Sequence, residues 1–495
     1  MHHSQDLQQV LALREAMMTG DEQRLKEQRA AGKWTARERI AKLVDEGSFV
    51  ELFALAGEQD MGAGVITGYA TVQERPVYLF AQDFTIRGGA MGKLQAQKIT
   101  KVLDMAHKTG APIVALCDSA GVKLDEGAQA MNAYSEIYQR MARLSGVCPM
   151  IALVLGPCIG GAALLASLAD VSIMAKKVGQ LMVFGPQVLA AMNGVDVKPE
   201  ALGGAEAIAS QGGCTLVAED EAHAMALAVR VLSMLPSSNL EDAEIIDSDD
   251  MNRLLPALDP ADVDSLWAAL ADNGQVLEFF ATYETSIRVA LTRMGGRTVG
   301  LVATAKGQTD GKLTSGALTK AAQFVRLMDC YNIPVVSLMN TRGVYVADPS
   351  AQISLIKAQS QLLYAYAEAT VPKLCVVTGD AIGQAYVAMG GKANADVTYA
   401  WPSATISALT PEAAVAVLYK EQIAGNATIP VEEARRQYAD EYVRDVAGAL
   451  NAAKAGLVDD VIDPDRTRAL LISALEMLAS KRDSNPAKKH GNIPL

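Results

Sequence analysis

Arg75-Pro76-Val77-Tyr78-Leu79-Phe80-Ala81 returns later in the same chain as Arg297-Thr298-Val299-Gly300-Leu301-Val302-Ala303. The two stretches lie 222 positions apart (297 − 75), as do Ala111-Pro112-Ile113-Val114-Ala115-Leu116 and Ile333-Pro334-Val335-Val336-Ser337-Leu338. Lys98 and Lys320, and Gly121 and Gly343, keep the spacing. Gly156-Pro157-Cys158-Ile159-Gly160-Gly161-Ala162 then pairs with Gly379-Asp380-Ala381-Ile382-Gly383-Gln384-Ala385 at 223 (379 − 156), so one residue has been inserted between the registers. A constant offset over this many positions marks an internal duplication. The chain is two homologous halves.

Within the first half, residues 77–82, 113–117 and 151–155 are short apolar runs ended by turn residues, the pattern of buried strands. Between the first two, Leu94, Ile99, Val102, Leu103 and Ala106 share one face of a helix over 94–107. Repeated strand–helix crossovers predict an α/β fold with parallel pairing in each half. The expected seam is the polar, acidic stretch over 236–260, with Ser237-Ser238-Asn239 and Asp247-Ser248-Asp249-Asp250. The organisation read from this is an N-terminal helical arm (1–45), a first domain (46–245) and a second (246–495).

Half of the 495 residues are apolar and 20% are charged, the balance of a globular protein with sizeable cores. The net charge of −12 argues against nucleic acid, whose phosphates need a basic face. Six cysteines with no C-x-x-C spacing write neither a zinc ribbon nor a redox dithiol, and fit buried thiols in a reducing, cytoplasmic setting. Residues 1–15 lack the charged-then-apolar order of a signal peptide. Residues 147–169 carry no charge and are long enough to span a bilayer. However, Pro149, Pro157 and Gly160-Gly161 interrupt them, so a buried strand, a glycine turn and a buried helix are expected, without membrane insertion.

Side-chain catalysis has little to work with. Of five histidines only His107 and His223 lie away from the termini, and no G-x-S-x-G or H-E-x-x-H occurs. No metal site is expected. The stretches 88–93 and 307–312 imitate a P-loop but end in Leu94 and Leu313, where the Mg²⁺-binding hydroxyl belongs. What remains is glycine at strand ends. Glycine lets a backbone approach a ligand closely, and a helix N-terminus adds partial positive charge, so such turns suit a developing oxyanion. The alternative is that Gly160-Gly161 only permits tight helix–strand packing. Recurrence of the turn in both halves favours function.

Three stretches resemble the motifs of the biotin-dependent acyl-CoA carboxyltransferases. These are Gly88-Gly89-Ala90-Met91-Gly92, Asp118-Ser119-Ala120-Gly121-Val122-Lys123-Leu124-Asp125-Glu126-Gly127 and Gly156-Pro157-Cys158-Ile159-Gly160-Gly161-Ala162. Supporting matches run from Gly32-Lys33-Trp34-Thr35-Ala36-Arg37-Glu38-Arg39-Ile40 to the ending Lys488-Lys489-His490-Gly491-Asn492-Ile493-Pro494-Leu495, so the resemblance covers nearly the whole chain. It is nearest the propionyl-CoA carboxylase β and methylmalonyl-CoA decarboxylase α branches.

The resemblance implies two tandem ClpP/crotonase-like carboxyltransferase domains, with CoA bound by the first half and biotin by the second. It implies a homo-oligomer, a hexamer, with the active site between the first half of one subunit and the second half of another. The amides of Gly160 and Gly161 would hold the thioester enolate, and those of Gln384 and Ala385 the biotin ureido oxygen. Gly88, Gly89, Ala120, Gly121 and Lys123 would line the path of the CoA thioester substrate. CO2 leaves N1-carboxybiotin, the freed biotin takes the substrate's α-proton, and the enolate captures the CO2. Biotin would ride on a partner chain. The implied partners are a biotin carboxyl carrier protein and a biotin carboxylase, or membrane decarboxylase subunits.

The second half departs from the family's pattern. Gln384 stands where a glycine belongs, and if that position needed φ > 0 it would cost about 1–2 kcal/mol. Asn340-Thr341-Arg342-Gly343-Val344 replaces D-x-P-G-F, and Val387 replaces an aspartate associated with propionyl-CoA preference. Two alternatives stand beside the carboxyltransferase. One is a biotin-independent crotonase-like CoA enzyme using Asp125 or Glu126 as acid or base. The other is a non-catalytic CoA-binding subunit.

Overall fold

A computed structural model describes residues 2–58, 61–194, 196–246, 249–425 and 429–494; Asp247-Ser248 of the expected seam and Leu495 of the terminal motif lie outside the described residues. The chain divides into two compact units, Met1–Asp242 and Ala243–Leu495.

Unit 1 opens with three helices, α1 (His2–Thr19), α2 (Glu22–Ala30) and α3 (Ala36–Leu43). The Thr35 hydroxyl accepts from the Glu38 N–H while the Glu38 carboxylate accepts from the Thr35 N–H, and this reciprocal cap starts α3. The sheet is built from β1 (Val50–Leu52), β2 (Val65–Val72), β3 (Arg75–Gln82), β4 (Ile113–Ser119), β5 (Met150–Ile159), β6 (Val171–Ala175), β7 (Gln180–Met182) and β8 (Leu216–Ala218). Its order is β1-β2-β3-β4-β5-β6-β8, with β7 pairing the far end of β5. The helix expected over 94–107 is α4 (Lys93–Thr109), stopped by Gly110 in the left-handed region. It is followed by α5 (Ala128–Leu144) and, after the bend that ends β5, α6 (Gly161–Ser167) and α7 (Glu221–Met234).

Unit 2 repeats the plan with β9 (Val276–Phe279), β10 (Ile287–Met294), β11 (Arg297–Thr304), β12 (Val335–Thr341), β13 (Lys373–Ile382), β14 (Val397–Ala400), β15 (Thr405–Ser407) and β16 (Asp460–Val461). The order is β9-β10-β11-β12-β13-β14-β16, again with the short β15 on the far end of β13. Its helices α8 (Ser315–Cys330), α9 (Gln352–Glu368) and α10 (Gly383–Ala388) stand where α4, α5 and α6 stand in unit 1.

Parallel pairing holds from β3 onward in unit 1 and from β11 onward in unit 2. The first three strands of each sheet are antiparallel, which the crossover pattern did not foretell. The cause is a two-residue hairpin turn in each unit, with both central residues at positive φ, the hand that strand twist demands. In unit 1 these are Gln73 (50°) and Glu74 (65°), in unit 2 Gly295 (58°) and Gly296 (78°). One carboxylate secures each turn. Asp45 accepts from the N–H groups of Gln73 and Glu74, and Asp272 from those of Gly295 and Gly296. Strands covered on both faces explain the continuous apolar runs. Residues 147–169 resolve into β5, the bend and α6, and no helix among the described residues is long and apolar enough to cross a membrane.

Candidate active site

In unit 1 the functional candidates converge at the carboxyl ends of β4 and β5. Gly160 leaves β5 at φ 59°, ψ −117°, so α6 starts abruptly at Gly161. The Gly160 N–H, expected to be one of the two enolate donors, is instead donated to the Met182 carbonyl at 2.8 Å, so Gly160 serves the bend through its conformation. The amides of Gly161 and Ala162 have no acceptor among the described residues. These open donors lie at the start of a helix, where partial positive charge collects. The Gly161 carbonyl accepts from the Tyr138 hydroxyl at 2.8 Å, and a Cβ on Gly161 would lie 2.6 Å from the Tyr134 ring. Tyr134 and Tyr138 stack at 5.7 Å beneath the bend.

The loop after β4 is laced to the loop that precedes α4. The Ala120 N–H donates to Gly88 O, Met91 N–H to Gly121 O and Lys123 N–H to Met91 O, each at 2.8 Å, while Ser119 Oγ donates to Gly89 O at 2.8 Å. A Cβ on Gly89 would sit 2.5 Å from Asp118 O, so only glycine permits this approach. A Cβ on Gly121 would sit 3.1 Å from Ile159 O, which places the same loop against the bend. Gly88, Gly89, Ala120, Gly121 and Lys123 are thus brought together, and the amides of Gly89, Ala120, Gly121 and Lys123 are spent within the two loops, on Ile86 O, Gly88 O, Ser119 Oγ and Met91 O. Gly88 also borders a cleft of about 490 Å³ with Arg24, Lys33, Phe84, Pro157 and Lys177.

Of the two carboxylates weighed as alternative acids or bases, Glu126 is engaged and Asp125 lies out in solvent. Glu126 accepts from Lys123 Nζ (2.8 Å) and from the Lys93 N–H (2.7 Å) at the start of α4. Burial pushes its carboxyl up, but Lys123 and Lys93 outweigh this and hold it below the usual range. Asp125 is exposed, 3.7 Å from Arg87. Cys158, hydrogen-bonded to Cys117 and fully buried, has its thiol pushed well up, which removes it as a nucleophile. His223 Nδ1 accepts from the Glu219 N–H.

Two features escaped sequence reasoning. The tyrosine pair is one; its signal is two aromatics at i and i+4 on the helix before a glycine bend, in a chain where aromatics are 5%. The other is a buried charge cluster behind the site. Arg39, fully buried, donates to Asp118 (2.8 Å), Glu221 (2.7 Å) and Leu155 O (2.6 Å), and Lys33 Nζ lies 3.0 Å from both Asp118 oxygens. A Cβ on Gly156 would strike Asp118 Oδ1 at 2.0 Å, so this glycine makes room for the carboxylate. The motif residues Lys33 and Arg39 therefore pin the arm to the sheet.

In unit 2 the positive φ falls on Gly383 (63°), the counterpart of Gly160, and not on Gln384. The strain considered for Gln384 does not arise. Gln384 is exposed and Ala385 buried in the first turn of α10, and neither amide has an acceptor among the described residues. Asn340 takes the place of Asp118; its Oδ1 accepts from the Asp380 N–H at 3.0 Å and would meet a Cβ on Gly379 at 2.4 Å. Arg342 lies 3.2 Å from Asp310, 3.9 Å from Glu412 and 4.0 Å from Asp380, whose carboxyl is raised chiefly by burial. The rim of this bend is acidic, whereas the cleft beside the first bend holds Arg24, Lys33 and Lys177.

Comparisons with known proteins agree with this geometry. Residues 27–493 match the carboxyl transferase domain. The chain is 39% identical over 498 residues to the methylmalonyl-CoA decarboxylase α subunit of Propionigenium modestum, covering 96% of each. It is also 39% identical over 513 residues to the propionyl-CoA carboxylase β chain of Saccharopolyspora erythraea, covering 97% of this chain and 94% of the other. The crystal structure of a transcarboxylase 12S hexamer with methylmalonyl-CoA and methylmalonic acid bound superposes with a TM-score of 0.93 at 37% identity, over 99% of this chain and 98% of that one. The chain belongs to the carboxyl transferase domain family, the two-half crotonase-like enzymes of biotin-dependent carboxylases that act on CoA thioesters with biotin carried by a partner.

Proposed function

We propose that the first bend is the enolate site of this carboxyltransferase and the second its ureido site. The observation that carries the reading is the pair of duplicated bends, each opening a helix with unspent amides. At the first, Gly160 sets the turn and Gly161, followed by Ala162, offers N–H groups to the thioester oxygen as charge develops there. Gly88, Gly89, Ala120, Gly121 and Lys123 form the wall along which the CoA runs, and Arg24 and Lys177 give the adjoining cleft cations for its phosphates. At the second, the open amides of Gln384 and Ala385 fit a ureido oxygen. Biotin, when bound, supplies the carboxyl group and a base for the substrate's α-proton. Such amides, fixed before the reaction, stabilise charge without reorganisation, which makes a side-chain base unnecessary on this chain.

The substrate proposed is a short-chain acyl-CoA, in line with the relatives' names. The working assembly is a hexamer in which the first half of one subunit meets the second half of another. It would act in the cytoplasm with a biotin carboxyl carrier protein and a biotin carboxylase, or with membrane decarboxylase subunits. The test is CO2 transfer between carboxybiotin and an acyl-length series of CoA thioesters. Gly161→Val should abolish it and Cys158→Ser should leave it within a few-fold. Near-normal turnover of Gly161→Val would remove the enolate from this bend.

A further inference from the structure

The Tyr138 hydroxyl does not point at a ligand; it donates to the carbonyl of Gly161. That carbonyl and the N–H of Ala162 are two ends of one peptide group. A hydrogen bond accepted at the oxygen draws electron density toward it and makes the N–H at the other end a stronger donor, an effect of about 10–30% per bond in condensed phase. The Ala162 amide is one of the open donors of the first bend. Building on the enolate reading above, we propose that Tyr138 is a positioning residue for the carboxyl-transfer reaction, polarising and fixing the Gly161–Ala162 peptide as an oxyanion donor.

The surroundings fit this role. Tyr134 stacks on Tyr138 at an interplanar angle of 21° and its ring fills the space a Gly161 side chain would need, so the phenol and the peptide are held in register. The Tyr134 ring is buried, and its packing beneath the bend is its evident contribution. Burial pushes the Tyr138 phenol up to about 12, so it stays protonated, and a donor, throughout the neutral range. The duplication supplies an internal control. Helices α5 and α9 each have 17 residues, and at the offsets of 222 and 223 kept by the flanking motifs Tyr138 corresponds to Ser360 or Gln361, with no tyrosine between Gln352 and Leu363 of α9. The second bend therefore has no phenol at the matching position. Polarisation through the peptide belongs to the bend assigned to the enolate, where full negative charge develops.

The experiment compares Tyr138→Phe with the wild type in the complete oligomer. Two readouts are needed: carboxyl transfer, and binding of a CoA thioether ending in an ionised nitroalkyl group (a nitronate, isoelectronic with the enolate). The variant should lose about tenfold in kcat with KM for the acyl-CoA unchanged. Its affinity for the nitronate should fall by a similar factor, while affinity for CoA itself holds. Replacing Tyr138 by a ring-fluorinated tyrosine, a stronger donor of nearly the same shape, should move nitronate affinity the other way. Equal nitronate affinity in wild type and Tyr138→Phe, or a parallel loss of CoA and nitronate affinity, would overturn the inference. If the wild type itself showed no preference for the nitronate over CoA, the enolate assignment would fail instead.

Discussion

The two halves share a backbone plan but differ in how they hold the strand end behind each bend. Behind the first, Asp118 is wholly buried and answered by Lys33 and Arg39; behind the second, Asn340 does the same spatial job with amide hydrogen bonds. Both leave no room for a side chain at the facing glycine, Gly156 or Gly379. In front, the first bend needs glycine at 161 because an aromatic ring lies beneath it, whereas the second carries Gln384. Duplication therefore preserved the φ of the turn, 59° and 63°, while the charge and packing around it diverged. The conformation is the common inheritance; the chemistry around it is private to each half.

The largest test of that contrast makes the first half resemble the second. Asp118→Asn leaves Lys33 without its carboxylate inside the protein and should destabilise unit 1 by about 3–5 kcal/mol, read by urea unfolding, because removing one partner strands a buried charge. Asn340→Ala removes only neutral hydrogen bonds and should cost about 1–3 kcal/mol. A reversal of that order would mean the charge cluster is not what secures the arm.

An intermediate effect concerns a feature the halves share. Lys98 and Lys320 are buried helix lysines that donate to main-chain carbonyls, of Phe53 in one unit and of Tyr283 and Glu284 in the other. Burial lowers each from 10.5 to about 8. Between about pH 8 and 10.5 the unfolded chain therefore binds more protons than the folded one, so stability should rise with pH across that window. Lys98→Met should remove the rise in unit 1 and Lys320→Met that in unit 2, followed by denaturation at pH 7.5, 9 and 10.5. The smallest change is expected from Gln384→Gly. Residue 384 lies outside the positive-φ region, so the swap should alter transfer less than threefold, against the loss expected of Gly161→Val.

Much of this was legible in the sequence. The fixed offset gave the duplication, the apolar runs gave the central strands, and the glycines marked the bends. The register of 223 already set Gly383 against Gly160, which is why Gln384 is unstrained. The antiparallel opening of unit 1 was hidden because its turn is Gln73-Glu74, neither of them a usual positive-φ residue, and a carboxylate from Asp45 makes the turn possible. The Asp118 cluster was hidden for another reason. Its ion-paired residues are 79 to 182 positions apart, and nothing local marks a lysine or arginine as destined for the interior. Tyr138 sits 23 residues from the carbonyl it meets, on a different element, so only the packed structure joins them.

The buried Arg39 has a consequence for how the protein is made. Its guanidinium is completed only by Glu221, 182 residues downstream, together with Asp118. A ribosome releasing the chain in order exposes Lys33 and Arg39 long before their counter-charges exist. The first unit cannot close its interior until α7 has emerged, and a nascent chain stalled short of residue 221 should leave the arm open to protease.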